Sequence, residues 1–346
     1  MKTPRKPLPA DLKFGTMFTD HMVCARFDRE TGWTAPDLTA YQKLALDPAA
    51  SVLHYGQAIF EGIKAFSTAD GHVALFRLDR HAERFRRSAE RTCMENVPES
   101  VFIDSVTTLV RADEAYVPEA EGTSLYLRPT LIATEPFLGV RPAHQYLFFV
   151  IACPVGPYYA EGFKPVSIWV EQEFVRAAPG GLGTAKVGAN YVASLYASER
   201  AKEAGYSQVL WTDAVHHRFI EEVGTMNVFV RLRDEVVTPP LNGTALAGVT
   251  RDSVLTLLHE FGMRASERPI SVEELVEAHA RGHLLEIFGT GTGAVISPVG
   301  KLGMRGAELT VGNGEAGELS QRLFKELQAI QRGVVPDRHG WLRYLD

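Results

Sequence analysis

Apolar positions recur along this chain with two periods, and the switches between them mark its elements. Phe102, Val106, Leu109 and Val110 fall at i, i+4, i+7 and i+8, the stripe of an amphipathic helix. Leu319, Leu323, Leu327 and Ile330 predict a C-terminal helix in the same way. Residues 79–91 predict a helix that starts near Asp79 and carries arginines at 80, 84, 87 and 91. Residues 251–261 predict another, with apolar positions 254, 255, 258 and 261 on one side. A helix over 190–204 would end at Gly205, a residue suited to a left-handed C-cap. Strand-like segments separate these helices. SVLHYGQAIFEGIKAF (51–66) has strand-like apolar content broken by Gly56 and Gly62, and QYLFFVIAC (145–153) is apolar throughout, as a strand buried on both faces would be. In SLYLRPTLIA (124–133), period two places Tyr126, Arg128 and Thr130 on one face. VSIWV, SQVLWTD, NVFVRL and EVVTP complete the predicted strands, while the first ~45 residues carry little signal beyond a turn at Thr31-Gly32.

At 346 residues the chain is about twice the ~150-residue domain prior, so two domains are expected. Proline and glycine cluster in PVGPYYAEGFKP (154–165). The expected division is a smaller N-terminal α/β domain over 1–155, a connecting loop over 156–165 and a larger domain over 166–346. Mixed strands and helices in both halves give an α+β or α/β class. A net charge of −6 and a pI near 6.0 argue against general affinity for nucleic acid or anionic lipid. Three cysteines without CxxC spacing fit a reducing compartment and argue against a disulfide framework or structural zinc. The N-terminus has no apolar h-region, and the longest apolar stretch, 146–155, is too short for the roughly 20 residues that span a bilayer. The expected location is cytoplasmic.

The candidate chemistry centres on Lys186 in GGLGTAKVGANY and Glu222 in FIEEVGTMNVFV. A lysine among small residues can be desolvated, which favours the neutral amine that a Schiff base needs, and lysine is scarce here, ten against twenty-six arginines. A carboxylate on a strand–loop boundary could keep a pyridine nitrogen protonated. The plain alternative is a solvated loop lysine. GGLGTAKV is neither a P-loop nor a dinucleotide fingerprint. Three places could hold a phosphate: Gly248, Val249 and Thr250 at a helix N-terminus, the GTGTG turn (289–293) with Thr292, and Arg84. Each also reads as a Thr cap, a flexible turn or a solvated basic face. His216-His217 lacks a second ligand pair at metal spacing and reads as a surface turn, so no metal is expected.

Taken together, HYGQAIFEGIKAF, LYLRP, FLGV, GANY, EEVGTMN, GVTRDSV and FGTGTGAVISPV resemble the branched-chain-amino-acid aminotransferases of the fold-type IV pyridoxal-phosphate enzymes. The resemblance runs from about residue 50 to 300. It implies a two-domain fold-type IV architecture, pyridoxal 5′-phosphate as cofactor, and amino transfer between L-leucine, L-isoleucine or L-valine and 2-oxoglutarate by a ping-pong mechanism. Lys186 would be the catalytic Schiff-base lysine, Glu222 the partner of the pyridine nitrogen, and Tyr191 the partner of the cofactor's phenolic oxygen. Arg84, Val249, Thr250 and Thr292 would grip the phosphate, with Thr225 and Leu246 completing the cofactor site. Tyr55, Phe60, Leu138 and Val140 would line an apolar substrate surface, with Tyr55 and the 138–140 loop contributed by the neighbouring subunit of a homodimer. Arg128 beside Tyr126 would receive the distal carboxylate of glutamate, Thr292 and Gly293 the α-carboxylate, and Tyr158 would join the substrate site. Gly293 stands where the family commonly has alanine, Ala247 where proline is usual, and Ala294 and Ser297 where some animal members have a redox CxxC. D-amino-acid transaminases and aminodeoxychorismate lyases share the fold and cofactor. A phosphate-ligand binding protein, or a cofactor-free Schiff-base aldolase, are readings from other classes.

Overall fold

The computed structural model describes residues 7–9, 11–157 and 163–345. The chain groups into two compact units: Met1–Tyr158 with Ala185–Gly188 and Gln328–Asp346, and Tyr159–Thr184 with Ala189–Leu327. The short stretch that carries Lys186 and the C-terminal residues thus group with the N-terminal half.

The first unit runs β1 His21–Asp28, β2 Gly32–Trp33, β3 Asp37–Ala40, α1 Ser51–Tyr55, β4 Ala58–Phe60, β5 Ile63–Ser67, β6 Val73–Phe76, α2 Leu78–Arg91, α3 Glu99–Ala112, β7 Ser124–Ala133 and β8 Gln145–Val155. The second contains β9 Val166–Glu171, α4 Gly188–Ala193, α5 Leu195–Glu203, β10 Gln208–Thr212, β11 Ile220–Val223, β12 Met226–Leu232, β13 Val236–Thr238, α6 Val249–Glu260, β14 Ala265–Glu267, α7 Val272–Ala280, β15 Leu284–Gly291, β16 Val295–Met304, β17 Ala307–Thr310 and the helix α8 Glu318–Gln331. A last strand, β18 Leu342–Leu345, pairs back onto β6.

The first sheet has the order β18-β6-β5-β7-β8-β1-β2, with β3 on β1 and β4 on β7, all antiparallel. Its two faces differ. Leu127, Leu131, Phe148, Val150 and Ala152 are buried. Phe148 meets Phe85 of α2 and Phe102 of α3 with ring centroids 5.6 and 5.8 Å away, which places the core of this unit between the sheet and the two helices. On the other face Arg128, Thr130, Phe149 and Ile151 are only half-buried. The apolar run at 145–153 is therefore not buried equally on both sides, and the half-open face is the one carrying Arg128.

Two segments depart from the predicted elements for local reasons. The start of 51–66 is helical, because Gly56 (φ +62) caps a single turn with its N–H on the Val52 carbonyl at 3.1 Å. The strands begin only at Ala58. Residues 190–204 form two helices, since the Ser194 hydroxyl bonds the Tyr191 carbonyl at 2.7 Å and competes with the helical ladder at the break.

The second sheet follows β11-β10-β9-β16-β15-β12-β13-β14, with β17 on β16, and an additional β11–β12 pairing closes it into a barrel. Ile168, Val170, Leu210, Val228, Val230, Ile287, Val299 and Leu302 belong to its core cluster. Phe229 and Phe288, opposite each other on β12 and β15, stack with centroids 5.4 Å apart. Trp211 is wholly buried and donates its indole N–H to the Gly224 carbonyl at 2.9 Å, which pins the β11–β12 hairpin that closes the barrel. The N-terminus of α8 is held by the Glu286 carboxylate, which accepts from the Leu319 and Ser320 N–H groups at 3.0 and 2.9 Å. Among the described residues no helix is long and apolar enough to cross a membrane.

Candidate active site

In the first unit, Lys186 and Arg128 lie against the ring of Phe60, and Tyr126 stands beside Arg128. Phe60 ends β4, and its N–H donates to the Lys186 carbonyl at 3.1 Å, while Ile59 bridges to Val187. The Lys186 Nζ lies 5.1 Å from the Phe60 ring centroid, and the Arg128 guanidinium carbon lies 4.6 Å from the same centroid. Arg128 also stands 5.4 Å from the Tyr126 ring and donates to the Tyr126 hydroxyl at 3.0 Å. Its Nε is buried without a hydrogen-bond partner among the described residues. A β-carbon at Gly62 would sit 2.1 Å from the Tyr126 hydroxyl oxygen, so glycine is required for that ring to lie where it does.

Tyr55 and Leu138 form a second pair, with Val140 two residues further along the chain. The Tyr55 hydroxyl donates to the Leu138 carbonyl at 2.6 Å, and Leu138 and Val140 are 63% and 88% exposed. Tyr158 lies outside the described residues. Arg84 is 5% exposed, not on a solvated basic face: its Nε and one terminal nitrogen bond the Glu61 carboxylate at 2.7 and 2.8 Å.

The second unit holds Tyr191, Glu222, Thr225, Leu246, Val249, Thr250, Thr292 and Gly293. Glu222 is 2% exposed at the barrel seam, paired with Asn227 in register. One carboxylate oxygen accepts from Arg176 Nε at 2.7 Å; the other accepts from the Leu246 N–H at 2.8 Å and more weakly from the Asn227 amide at 3.4 Å. Arg176 also donates to the Thr244 carbonyl at 2.8 Å. The glycine-rich loop has a packing reason: a β-carbon on Gly183 would meet the Thr244 carbonyl oxygen at 2.1 Å. Thr225 is exposed in the hairpin turn, and Tyr191 is half-buried on α4.

Val249 and Thr250 open α6 behind Gly248, which is extended (φ −70, ψ 130) and contributes no side-chain cap. The N–H groups of that first turn face a favourable dipole for an anion. Thr292 and Gly293 are half-buried in the turn between β15 and β16. Val295, at the end of that turn, has φ +62, a left-handed conformation that costs a β-branched residue about 1–3 kcal/mol. Thr290 nearby on β15, aligned with Asn227, buries a hydroxyl without a partner among the described residues. The helix start without a side-chain cap, the orphan Thr290 hydroxyl and the buried Glu222 carboxylate beside Leu246 fit a phosphorylated pyridine.

Several contributors were missed in the sequence. Glu61, Arg176 and Asn227 lie inside or near the quoted motifs, but their partners are distant in the chain. Ser88 accepts the Lys186 N–H on its hydroxyl at 3.0 Å. Phe14, from the stretch that carried little signal, packs edge-on against Tyr126 with centroids 4.8 Å apart. Lys64, facing the same side as Tyr126 across the β5–β7 register, is pushed down to about 8 by burial. At His216-His217, no metal-holding group of side chains exists among the described residues. That loop is instead organised by Asp213, which accepts four backbone N–H groups from Val215, His216, Arg218 and Phe219.

The sequence profile of Amino-transferase class IV matches residues 58–302. The chain is 49% identical over 336 residues to the branched-chain-amino-acid aminotransferase 2 of Bacillus subtilis, a match covering 97% of this chain and 93% of that protein. Its fold is similar to the Escherichia coli branched-chain amino acid aminotransferase, with a TM-score of 0.78 at 26% identity over 90% of this chain and 97% of the other. It is likewise similar to the T.th. branched-chain amino acid aminotransferase solved with pyridoxamine 5′-phosphate, with a TM-score of 0.77 at 26% identity, covering 93% of this chain and 98% of the other.

Proposed function

The chain belongs to the class IV aminotransferases, and from that membership we propose that it is a pyridoxal-phosphate-dependent branched-chain-amino-acid aminotransferase. It moves the amino group of L-leucine, L-isoleucine or L-valine to 2-oxoglutarate, in two half-reactions that share one site. The observation that carries this reading is the placement of Lys186 and Arg128 against one Phe60 ring: an amine for the reacting carbon beside a cation for a distal carboxylate, on an apolar floor.

When bound, pyridoxal 5′-phosphate would supply the electron-withdrawing ring that makes a substrate α-hydrogen acidic. The chain's own residues do the rest. Lys186 Nζ would hold the cofactor, and its amine would take the proton from the substrate α-carbon. The Glu222 carboxylate is held in place by Arg176 and the Leu246 N–H, and it would accept from the ring nitrogen and favour its protonated form. Tyr191 would donate to the phenolic oxygen. Arg84 would hold the phosphate, as would the Val249 N–H, Thr250 and Thr292, and Thr225 and Leu246 would serve the ring system. Phe60 takes a branched side chain by dispersion and exclusion of water. Arg128 takes the second carboxylate of glutamate, using the donor that has no protein partner among the described residues. Thr292 and Gly293 receive the α-carboxylate.

The exposed group of Tyr55, Leu138 and Val140 supports a homodimer in which this tip completes a neighbour's substrate surface. The cysteines are free in the structure, which supports a reducing, cytoplasmic setting.

The test is an absorbance spectrum of the purified enzyme during addition of L-leucine and then 2-oxoglutarate. Loss of a yellow band with L-leucine, restored by 2-oxoglutarate, is expected; a response to D-alanine alone would move the chain to the D-amino-acid branch. Lys186→Ala is expected to remove the band and all turnover while the fold survives, and retained transamination would sink the assignment.

A further inference from the structure

Glu61 is a wholly buried carboxylate with no part in the chemistry above. Arg84 Nε reaches one of its oxygens at 2.7 Å, and a terminal nitrogen of Arg84 reaches the other at 2.8 Å. His81 Nδ1 meets that second oxygen at 2.8 Å, and the Gly62 N–H approaches it at 3.2 Å. His81 and Arg84 are 2% and 5% exposed. Burial alone would push the Glu61 carboxyl up, but the charge and hydrogen bonds of Arg84, then of His81, outweigh it and hold the group well below the usual carboxylate range. An ionised carboxylate only accepts, so His81 carries its proton on Nδ1.

This geometry leaves Arg84 little freedom. A guanidinium is planar, and one held at Nε and a terminal nitrogen by both oxygens of a fixed carboxylate cannot turn about its Cδ–Nε bond. The direction of its head is set by Glu61, not by its own flexible stem. His81, Arg84 and Ser88 are spaced i, i+3 and i+7, so they share one face of α2. Ser88 donates to the Arg84 carbonyl at 3.0 Å and accepts the Lys186 N–H at 3.0 Å, which joins the carboxylate, the arginine and the lysine segment into one set.

We propose that Glu61 is a positioning residue for the cofactor phosphate, holding Arg84 in the orientation in which its guanidinium receives that group, with His81 bracing the carboxylate. The inference rests on Arg84 being the phosphate residue, as given under the proposed function. A bare charge argument has the opposite sign: removing a negative group beside Arg84 would tighten a dianion, whereas losing its orientation weakens it.

Pyridoxal 5′-phosphate is titrated into the cofactor-free enzyme as wild type, Glu61→Gln, Arg84→Gln and the double variant, with the ³¹P resonance of the bound phosphate recorded alongside. Glu61→Gln is expected to weaken binding roughly 10-fold, the size of an ordinary coupling between contacting residues, and to shift the ³¹P resonance. In the Arg84→Gln background the same change should alter the Kd by less than about 2-fold, because no arginine remains to orient. Unchanged or tighter binding by Glu61→Gln, or equal weakening in both backgrounds, overturns the proposal. If circular dichroism shows that Glu61→Gln does not fold, Glu61→Asp replaces it. That variant keeps the charge but draws the carboxylate back, so several-fold weaker binding supports positioning and wild-type affinity overturns it. A wild-type enzyme that binds no pyridoxal 5′-phosphate would instead overturn the functional reading itself.

Discussion

In the site proposed above, Arg128 would let a single residue serve two dissimilar substrates. Its guanidinium is flanked by the Phe60 and Tyr126 rings at 4.6 and 5.4 Å and fixed to the Tyr126 hydroxyl, so the cation is ordered before any substrate arrives. Its Nε, without a partner among the described residues, would suit a carboxylate, while the Phe60 face beside it stays apolar. A branched side chain can lie on the ring without engaging the charge. Arg128→Ala is therefore expected to raise KM for glutamate and 2-oxoglutarate about 10- to 100-fold, the loss of a charge-assisted hydrogen bond, with a much smaller change for leucine. Steady-state kinetics on both substrate classes check this, and equal losses would make Arg128 structural. Tyr126 and Arg128 were legible in the chain because alternation along a strand puts them on one face. Phe14 was not, since nothing in its neighbourhood signals that it packs against a tyrosine more than a hundred residues away.

At the scale of elements, the β10–β11 connection shows how a loop without regular structure can still be firmly specified. Asp213 accepts the N–H groups of Val215, His216, Arg218 and Phe219, and the Phe219 carbonyl receives its own N–H in return. Burial acts to raise its pKa, but these four donors prevail and hold it at about 2. A carboxyl depressed from 3.8 in the folded state stabilises the protein above about 4, and that contribution is lost as pH falls through about 2. Asp213→Asn is expected to lower the melting temperature near neutral pH and to flatten its decline between about pH 4 and pH 2. Thermal melts across that range would show it; parallel curves for both proteins would contradict it. The same loop explains why His216-His217 is a turn. The helices with a strong apolar period appeared where the pattern put them, α3 and α8 above all. Residues 51–55 and the break at Ser194 did not, because one capping glycine and one serine hydroxyl outweigh the apolar count.

For the whole molecule, the tip formed by Leu138 and Val140 is an exposed apolar feature that a single chain leaves unexplained, since exposing such residues to water is unfavourable. The proposed dimer gives it a partner. Changing both Leu138 and Val140 to Asp is expected to convert the dimer to folded monomers and to lower transaminase activity, with far-ultraviolet circular dichroism unchanged. Sedimentation velocity on the variant decides; a dimer that persists with full activity would remove this tip from both the interface and the site. Taken by itself, the sequence determined the family, through motifs spread along the chain, and the periodic elements, helices and strands whose apolar spacing is a property of neighbouring residues; it also singled out Lys186 among small residues and Glu222 before a hairpin glycine as candidates. Only the tertiary structure decided which charges meet. Arg84, read as a solvated basic face or a phosphate ligand, is seized by Glu61, and Glu222 is held by Arg176 at a seam that exists only because β11 pairs with β12. Such pairings depend on register and on burial between distant segments, and a buried charge finds its partner through the fold rather than along the chain.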